Sequence, residues 1–253
     1  MEPIVPYTHN KQQIFEKFLQ MISQEVYSEP ESGLHTNLTK QLAPIVFNRP
    51  DGPKKGEKLI DIGCGPGMFM DELVKLGLNK EDMTGITMGD DDYNIVKEKG
   101  YHAHKYDMTF TDFESNTFDF AIVRHCLEHS AWPYMTLMEF NRIMKVGGRM
   151  YIEMPQPGTE RQLEHMQNHY SIMSQTMWGS LMIRCGFDFT AGEYPINVNQ
   201  NNKTLKEPYD WYLLIKLVDR SDYKPATGKY IKEIAEKFPK VRQELFGQPV
   251  DKK

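Results

Sequence analysis

The alternation of apolar and polar positions divides the chain into short buried runs and longer amphipathic stretches. Leu59, Ile60 and Ile62 make an apolar run between Lys58 and Gly63, the pattern of a strand covered on both faces. Behind it Met70, Leu73 and Val74 fall at i, i+3 and i+4, and the helix they define stops at Gly77. The pattern then predicts a strand over Asp82–Met88, a helix over Asp91–Lys99 and a third strand over Gly100–Lys105. A fourth strand covers Phe118–Val123, a helix runs from Pro133 to about Met144, and Arg149–Met154 follows as a fifth strand. Five strand-plus-connection units in succession predict an α/β fold, a doubly wound parallel sheet with helices on both faces.

The flanks are less regular. Lys11–Ser23 carries Ile14, Phe15, Phe18, Leu19 and Ile22 at helical spacing, and Leu34, Leu38, Leu42 and Ile45 predict a second helix disturbed by Pro44. These helices either cap the active-site edge of the sheet or pack on its side. A Ser/Glu/Pro/Gly stretch, Ser28–Gly33, breaks the chain between them, and Asn48–Gly56 reads as a linker. Gln162–Gly186 reads as mainly helical, and Phe187–Val198 with Glu207–Val218 as a hairpin that completes the sheet. Ile231, Ile234, Ala235 and Phe238 predict one more amphipathic helix. The expected organisation is a single domain, with an N-terminal helical cap over 1–53, a core sheet over 54–220 and a helical tail over 221–253.

Charge and cysteines narrow the function classes. Against 35 Asp and Glu stand 30 Lys and Arg, a net charge of −5, which argues against a nucleic-acid partner. The three cysteines, Cys64, Cys126 and Cys185, have no CxxC spacing, so a reducing, cytoplasmic location is expected rather than a disulfide framework or a zinc site. No apolar run approaches membrane-spanning length. His165 and His169 are four apart, a metal-compatible spacing on a helix, but the sequence places no third ligand near them, and no metal is expected. A monomer or homodimer is expected.

The candidate chemistry sits at the first strand. Asp61 lies inside an apolar run, where an unpartnered carboxylate is costly to bury. Gly63, Gly65 and Gly67 follow, with Pro66 between the last two, and lead into a helix N-terminus, the make-up of a nucleotide-cofactor site. The dinucleotide fingerprint G-x-G-x-x-G does not fit, because Met68 occupies the place of its third glycine.

The string LIDIGCGPG resembles motif I of the class I S-adenosylmethionine-dependent methyltransferases. Further segments are similar in the same order. GITMGDDDY resembles the GITLSxxQ variant of cyclopropane-synthase-like and some small-molecule methyltransferases. Tyr106-Asp107-Met108 resembles the adenine-binding segment after the third strand, and Arg124–His129 the family's xxLEH segment. RIMKVGGRMYIEMPQP resembles its RvLkPGG…P segment, with Val146 where Pro is usual. The resemblance spans Leu59 to Val218. It implies a Rossmann-like seven-stranded sheet of order 3-2-1-4-5-7-6 with the last strand antiparallel.

It also implies S-adenosyl-L-methionine as cofactor and S-adenosyl-L-homocysteine as product. The implied cofactor residues are Asp61, Gly63, Cys64, Gly65, Gly67, Thr87, Met88, Asp92, Asp107, Met108, Arg124 and His125. Thr87 stands where most of the family carries an acidic ribose ligand, so Asp92 is expected to hold the ribose and Asp90 to cap the following helix. The alternative is that the three aspartates only solvate that helix start. A hydroxyl acceptor needs its proton removed, and His125, His129 and His169 are the candidate bases. The N-P-P-Y type signature for amide and nucleobase nitrogens is absent, which leaves a small-molecule acceptor, with O-methylation favoured. The alternatives are cyclopropane-synthase-like carbon alkylation, tRNA methylation, or a cofactor-binding partner without turnover.

Overall fold

The computed structural model describes residues 11–25, 33–200 and 203–221. Residues 1–10 of the expected cap, the break at 28–32 and the tail with its helix at Ile231–Phe238 lie outside the described residues. Helices α1 (Lys11–Glu25) and α2 (Gly33–Phe47) come before the sheet. Then follow β1 (Leu59–Ile62), α3 (Met68–Lys75), β2 (Met83–Thr87), α4 (Asp90–Glu98), β3 (His102–Lys105) and β4 (Phe118–Arg124). The second half holds α5 (Pro133–Ile143), β5 (Met144–Pro155), α6 (Gln175–Arg184), β6 (Phe187–Tyr194), β7 (Asn197–Gln200), β8 (Lys203–Lys206) and β9 (Tyr209–Lys216).

Seven strands form one sheet in the order β3-β2-β1-β4-β5-β9-β6, and β7 and β8 form a separate two-stranded sheet. The neighbours from β3 to β5 are parallel, and β9 is antiparallel to both β5 and β6. With the β7–β8 hairpin set aside, β9 is the seventh strand of the sheet, and the order is the 3-2-1-4-5-7-6 expected from the sequence. The chain leaves β1 towards β2 and β3 on one side, then returns to β4 on the other. That reversal opens a crevice beyond the carboxyl ends of β1 and β4.

Side-chain alternation assigns the two faces. Ile60 and Ile62 join Leu137, Phe140 and Ile143 of α5 and Trp178 and Met182 of α6 in one core. Leu59, one residue out of phase, packs on the opposite face with Leu42 and Val46 of α2, Phe69 and Leu73 of α3 and Val96 of α4. No helix among the described residues is long and apolar enough to cross a membrane.

Several expectations need correction. α2 continues through Pro44 to Phe47. Pro44 costs the helix one backbone bond, and the packing of Leu42, Ala43 and Val46 in the core holds that turn. Gln162–Gly186 is helical only from Gln175 to Arg184, apart from one 3-10 turn at Leu163–His165. Downstream of that turn, Tyr170 N and Ser171 N both donate to the Glu128 carbonyl at 2.9 Å instead of closing helical bonds. The strand expected over Phe187–Val198 ends at Tyr194, because the chain then leaves the sheet to form the β7–β8 hairpin.

Candidate active site

The glycine turn is shaped by close approach on one side and openness on the other. Gly63 has φ +70°, and a Cβ there would lie 2.4 Å from the Cys126 Cβ. Its N–H and that of Cys64 both donate to the Ile86 carbonyl, at 2.9 and 3.0 Å, so the turn is tied to the end of β2. Gly65 has φ +50°, yet a Cβ there would meet nothing within 4 Å. Glycine is needed at 65 for its backbone conformation, and the missing side chain leaves the crevice open.

One cavity gathers most of the expected cofactor residues. Asp61, Gly63, Cys64, Gly65, Thr87, Met88, Asp92, Asp107, Met108, Arg124 and His125 all line it. Gly67 does not; at φ +81° it starts α3 and packs against Met70 and Val96. Asp92 is buried on the first turn of α4. Asp107 Oδ1 accepts from Thr109 N at 2.7 Å, which fixes the carboxylate at the end of β3. Asp90 is not the cap: α4 begins at Asp90 itself with Gly89 as N-cap, the Thr87 hydroxyl takes the Gly89 N–H at 3.3 Å, and the exposed Asp90 pairs with Lys105.

The donor set fits S-adenosylmethionine. That ligand offers an ammonium, a sulfonium, ribose hydroxyls and an adenine amino group, and the cavity offers three carboxylates and turn backbone to receive them. Burial raises the Asp61 carboxyl to about 7, with Arg124 pulling the other way.

A buried charge network stands behind the crevice. Glu153, inside β5, accepts from Arg124 Nη2 and His125 Nε2 through Oε1, both at 3.0 Å, and from the Tyr151 hydroxyl through Oε2 at 2.9 Å. Arg124 also donates to Thr39 of α2 at 2.8 Å, which joins the helical cap to the sheet. His125 has φ +48°, and its Nδ1 lies 3.6 Å from Glu128 Oε1. Burial alone would lower the His125 imidazole; its two carboxylate partners more than offset this and raise it to about 9. Burial likewise opposes ionisation of Glu153, but Arg124 and His125 bring it down to about 2. A general base needs a lone pair, and His125, charged between two carboxylates, offers none. It positions the crevice wall.

The other end of the cavity is walled by Ile22, Ser130, Trp132, His129, Asn168 and Tyr170. Trp132 packs 4.7 Å from Phe18 and 5.5 Å from Phe15, centroid to centroid, so α1 closes over this end. Ser171 Oγ donates to the Ser130 carbonyl at 2.5 Å, and His129 Nδ1 meets the Asn168 carbonyl at 2.9 Å. These bonds, with those to the Glu128 carbonyl, bring His169 beside His129, ring centroids 4.7 Å apart. His169 itself stands behind the cavity wall. His165 is not among the residues at this cluster. Sequence reasoning did not name Glu153, Thr39 or Tyr170, although the last two fall in the N-terminal helices and the Pro155–Tyr170 segment expected to shape the acceptor pocket. Only Glu153 left a signal of its own, a carboxylate within the apolar run YIEMP, as Asp61 does in β1.

A mixed sheet with this strand order, its seventh strand antiparallel, and a carboxylate-lined crevice at its switch point defines a Rossmann-like methyltransferase fold. A methyltransferase-domain family model matches residues 34–191. The chain belongs to this family of S-adenosylmethionine-dependent methyltransferases. It is 30% identical over 112 residues to a demethylmenaquinone methyltransferase of Staphylococcus aureus, covering 42% of this chain and 46% of that protein. It is 28% identical over 104 residues to a ubiquinone biosynthesis O-methyltransferase of Aeromonas salmonicida, covering 38% and 42%. The chain thus spans under half the length of these curated relatives. A solved S-adenosylmethionine-dependent methyltransferase from Archaeoglobus fulgidus matches its fold with a TM-score of 0.57 at 17% identity, over 82% of this chain and all of that one.

Proposed function

We propose that the protein transfers a methyl group from S-adenosylmethionine to a hydroxyl oxygen of a small aromatic acceptor. The observation that carries this reading is one cavity lined both by carboxylates and the glycine turn and by Trp132, Tyr170 and His129. The cofactor supplies a methyl on a positively charged sulfur, which becomes a neutral thioether when a nucleophile displaces it. What remains for the protein is alignment and exclusion of water. Asp92 receives the ribose hydroxyls, and Asp107 with the Met108 N–H receives the adenine edge. Asp61 faces the cationic part of the cofactor, and α1 with Trp132 closes the acceptor end. His129 is the residue through which the acceptor hydroxyl is activated. An aromatic acceptor fits the aromatic wall, and the quinone-related names of the curated relatives point the same way.

The test is product formation from a panel of phenols and catechols, with aromatic carboxylates, amines and an unsaturated lipid as comparators. S-adenosylhomocysteine should accumulate with phenolic acceptors, and His129→Gln should lower turnover about a hundredfold with cofactor affinity kept. Methylation of carbon or of a carboxylate in preference to a hydroxyl would overturn the acceptor class. Cofactor binding with no turnover on any acceptor would overturn the enzymatic reading.

A further inference from the structure

Glu128, His129 and His169 bring a carboxylate oxygen and two imidazole nitrogens to within 4.8 Å of one another. The two segments meet because residues 168–171 are tied to the turn after β4, through bonds that involve the Glu128 and Ser130 carbonyls and the His129 ring. Both imidazoles are already oriented. His129 Nδ1 lies 2.9 Å from the Asn168 carbonyl, and His169 Nδ1 lies 2.8 Å from the Leu163 carbonyl. A carbonyl only accepts, so Nδ1 carries the hydrogen in each neutral ring and Nε2 carries the lone pair. Metal-ligating histidines are fixed in this way by a backbone partner behind the ring. The carboxylate completes the argument. Glu128 Oε2 is buried with no hydrogen-bond partner among the described residues. A merely structural cluster would aim a donor at that oxygen, since an orphaned buried acceptor is costly.

We propose that Glu128, His129 and His169 form a binding site for a zinc-class transition-metal dication, set in the wall of the acceptor pocket. Two imidazoles and one carboxylate suit Zn²⁺ and its neighbours better than Mg²⁺ or Ca²⁺, which prefer oxygen ligands alone. Bonds of about 2.0–2.2 Å set tetrahedral ligands roughly 3.4 Å apart, so the donors close in by an ångström or so on binding. The segment that carries His169 has no regular helix or strand to resist this. Of the three ligands His129 lines the cavity, beside Asn168 and Tyr170, and it is from that side that an acceptor would reach the metal.

A hydroxyl oxygen bound there gives its proton to water more readily, because the cation stabilises the anion that forms. That oxygen then bonds to the methyl carbon as the carbon–sulfur bond breaks, and the electron pair of that bond stays on sulfur. Only this last role rests on the proposed methyl transfer to a hydroxyl. The site itself stands on its ligands.

Chelator-treated protein titrated with CoCl₂ tests it, with the visible bands of ligated Co²⁺ and calorimetry as readouts. One Co²⁺ per chain should bind and be displaced by Zn²⁺. His169→Ala should weaken binding by about a hundredfold or more, as should Glu128→Gln. His169 lies outside the cofactor wall, so His169→Ala should keep its circular dichroism and its affinity for S-adenosylhomocysteine. It decides the question alone if Glu128→Gln does not fold. No Co²⁺ uptake, or uptake equally tight in His169→Ala, overturns the site and leaves the methyltransferase reading intact. Normal Co²⁺ bands without turnover on hydroxyl acceptors support the site and count against the acceptor reading.

Discussion

Gly63 and Gly65 sit in one turn, joined to β1 on one side and α3 on the other, whereas His129 and His169 meet only because residues 168–171 fold back onto the turn after β4. The glycine turn of the first end is thus built from neighbours in sequence, while Asp92, Asp107 and Arg124 reach the same cavity from α4, the segment after β3 and the end of β4. The second end is assembled from α1, the turn after β4 and an irregular segment before α6. A local assembly depends on backbone conformation and tolerates little change at its glycines. A distributed one depends on a few cross-chain bonds and can exchange side chains while the sheet stands. The difference suggests why cofactor chemistry is legible in the sequence and acceptor chemistry is not.

The strongest test of this contrast is at the glycine turn. Gly65→Val adds a β-branched side chain at a positive φ and fills the opening towards the cavity, at a strain of about 1–3 kcal/mol before any ligand is considered. S-adenosylhomocysteine binding should fall beyond detection in calorimetry, while circular dichroism stays native. Near-normal binding by this variant would break the claim that the cofactor end is built from backbone.

The next effect lies on the link between the two ends. Glu153 is fully buried and joins Arg124, His125 and Tyr151. Glu153→Gln leaves two buried cations without their common anion and should cost about 3–5 kcal/mol in chemical denaturation. The sign with pH follows from the lowered folded-state value. Glu153 contributes stability above its ordinary range near 4.5, and this is lost as pH falls through about 2. The wild-type protein should therefore lose stability over that acid window, and the variant should lose less of it there. Equal acid sensitivity in both would mean that other carboxylates govern the acid limb.

How far the sequence carries is clearest residue by residue. β1 and β4 were legible as short apolar runs between turn signals, whereas β3, His-Ala-His-Lys at the sheet edge, carries no such run; the glycine turn was legible because φ above zero leaves few other residues. Glu153 stood in plain view as a carboxylate in an apolar strand, with Tyr151 two residues before it on the same face of β5, but Arg124 comes opposite it only through sheet register. For Thr39 and Tyr170 the sequence pointed only to their segments, the N-terminal helices and Pro155–Tyr170, since the place of each side chain at the crevice depends on tertiary packing. The helix expected over 162–174 failed for a related reason: backbone bonds to the 128–130 turn replaced helical ones. Asp90 and Asp92 differ by two positions, and only the helix start, set by Gly89, decides which faces the cavity.

That pair gives the third prediction. Asp92→Ala should weaken cofactor binding by about tenfold, the scale of one or two charge-assisted hydrogen bonds. Asp90→Ala removes an exposed ion pair with Lys105 and no cap, so affinity should hold and stability should change by less than about 1 kcal/mol. Calorimetry and denaturation on the two variants separate these outcomes. A larger loss of affinity from Asp90→Ala would put the ribose at the solvent side of α4 and so break the local account of this end.

The smallest expected effect is a proton. Burial holds the Asp61 carboxyl near 7 in the ligand-free protein, so about half of it is protonated at neutral pH. S-adenosylmethionine brings positive charge to the cavity that Asp61 lines, and an opposite charge nearby favours the carboxylate. Binding should then expel a proton whenever the pH lies below about 7, and affinity should rise with pH up to that point and then level. Between pH 7.5 and 6.5 the cofactor should weaken by roughly threefold, the ratio of ionised fractions for a group titrating near 7. Calorimetry in buffers of different ionisation enthalpy reads the released proton directly. Asp61→Asn should flatten the profile, and S-adenosylhomocysteine, which lacks the sulfonium charge, should release fewer protons than S-adenosylmethionine. A pH-independent affinity in the wild-type protein would mean that Arg124, which opposes the effect of burial at Asp61, already keeps the carboxylate ionised. The cofactor end would then depend on the charge network that links it to α2 and β5, and its independence from the distributed half of the site would be lost.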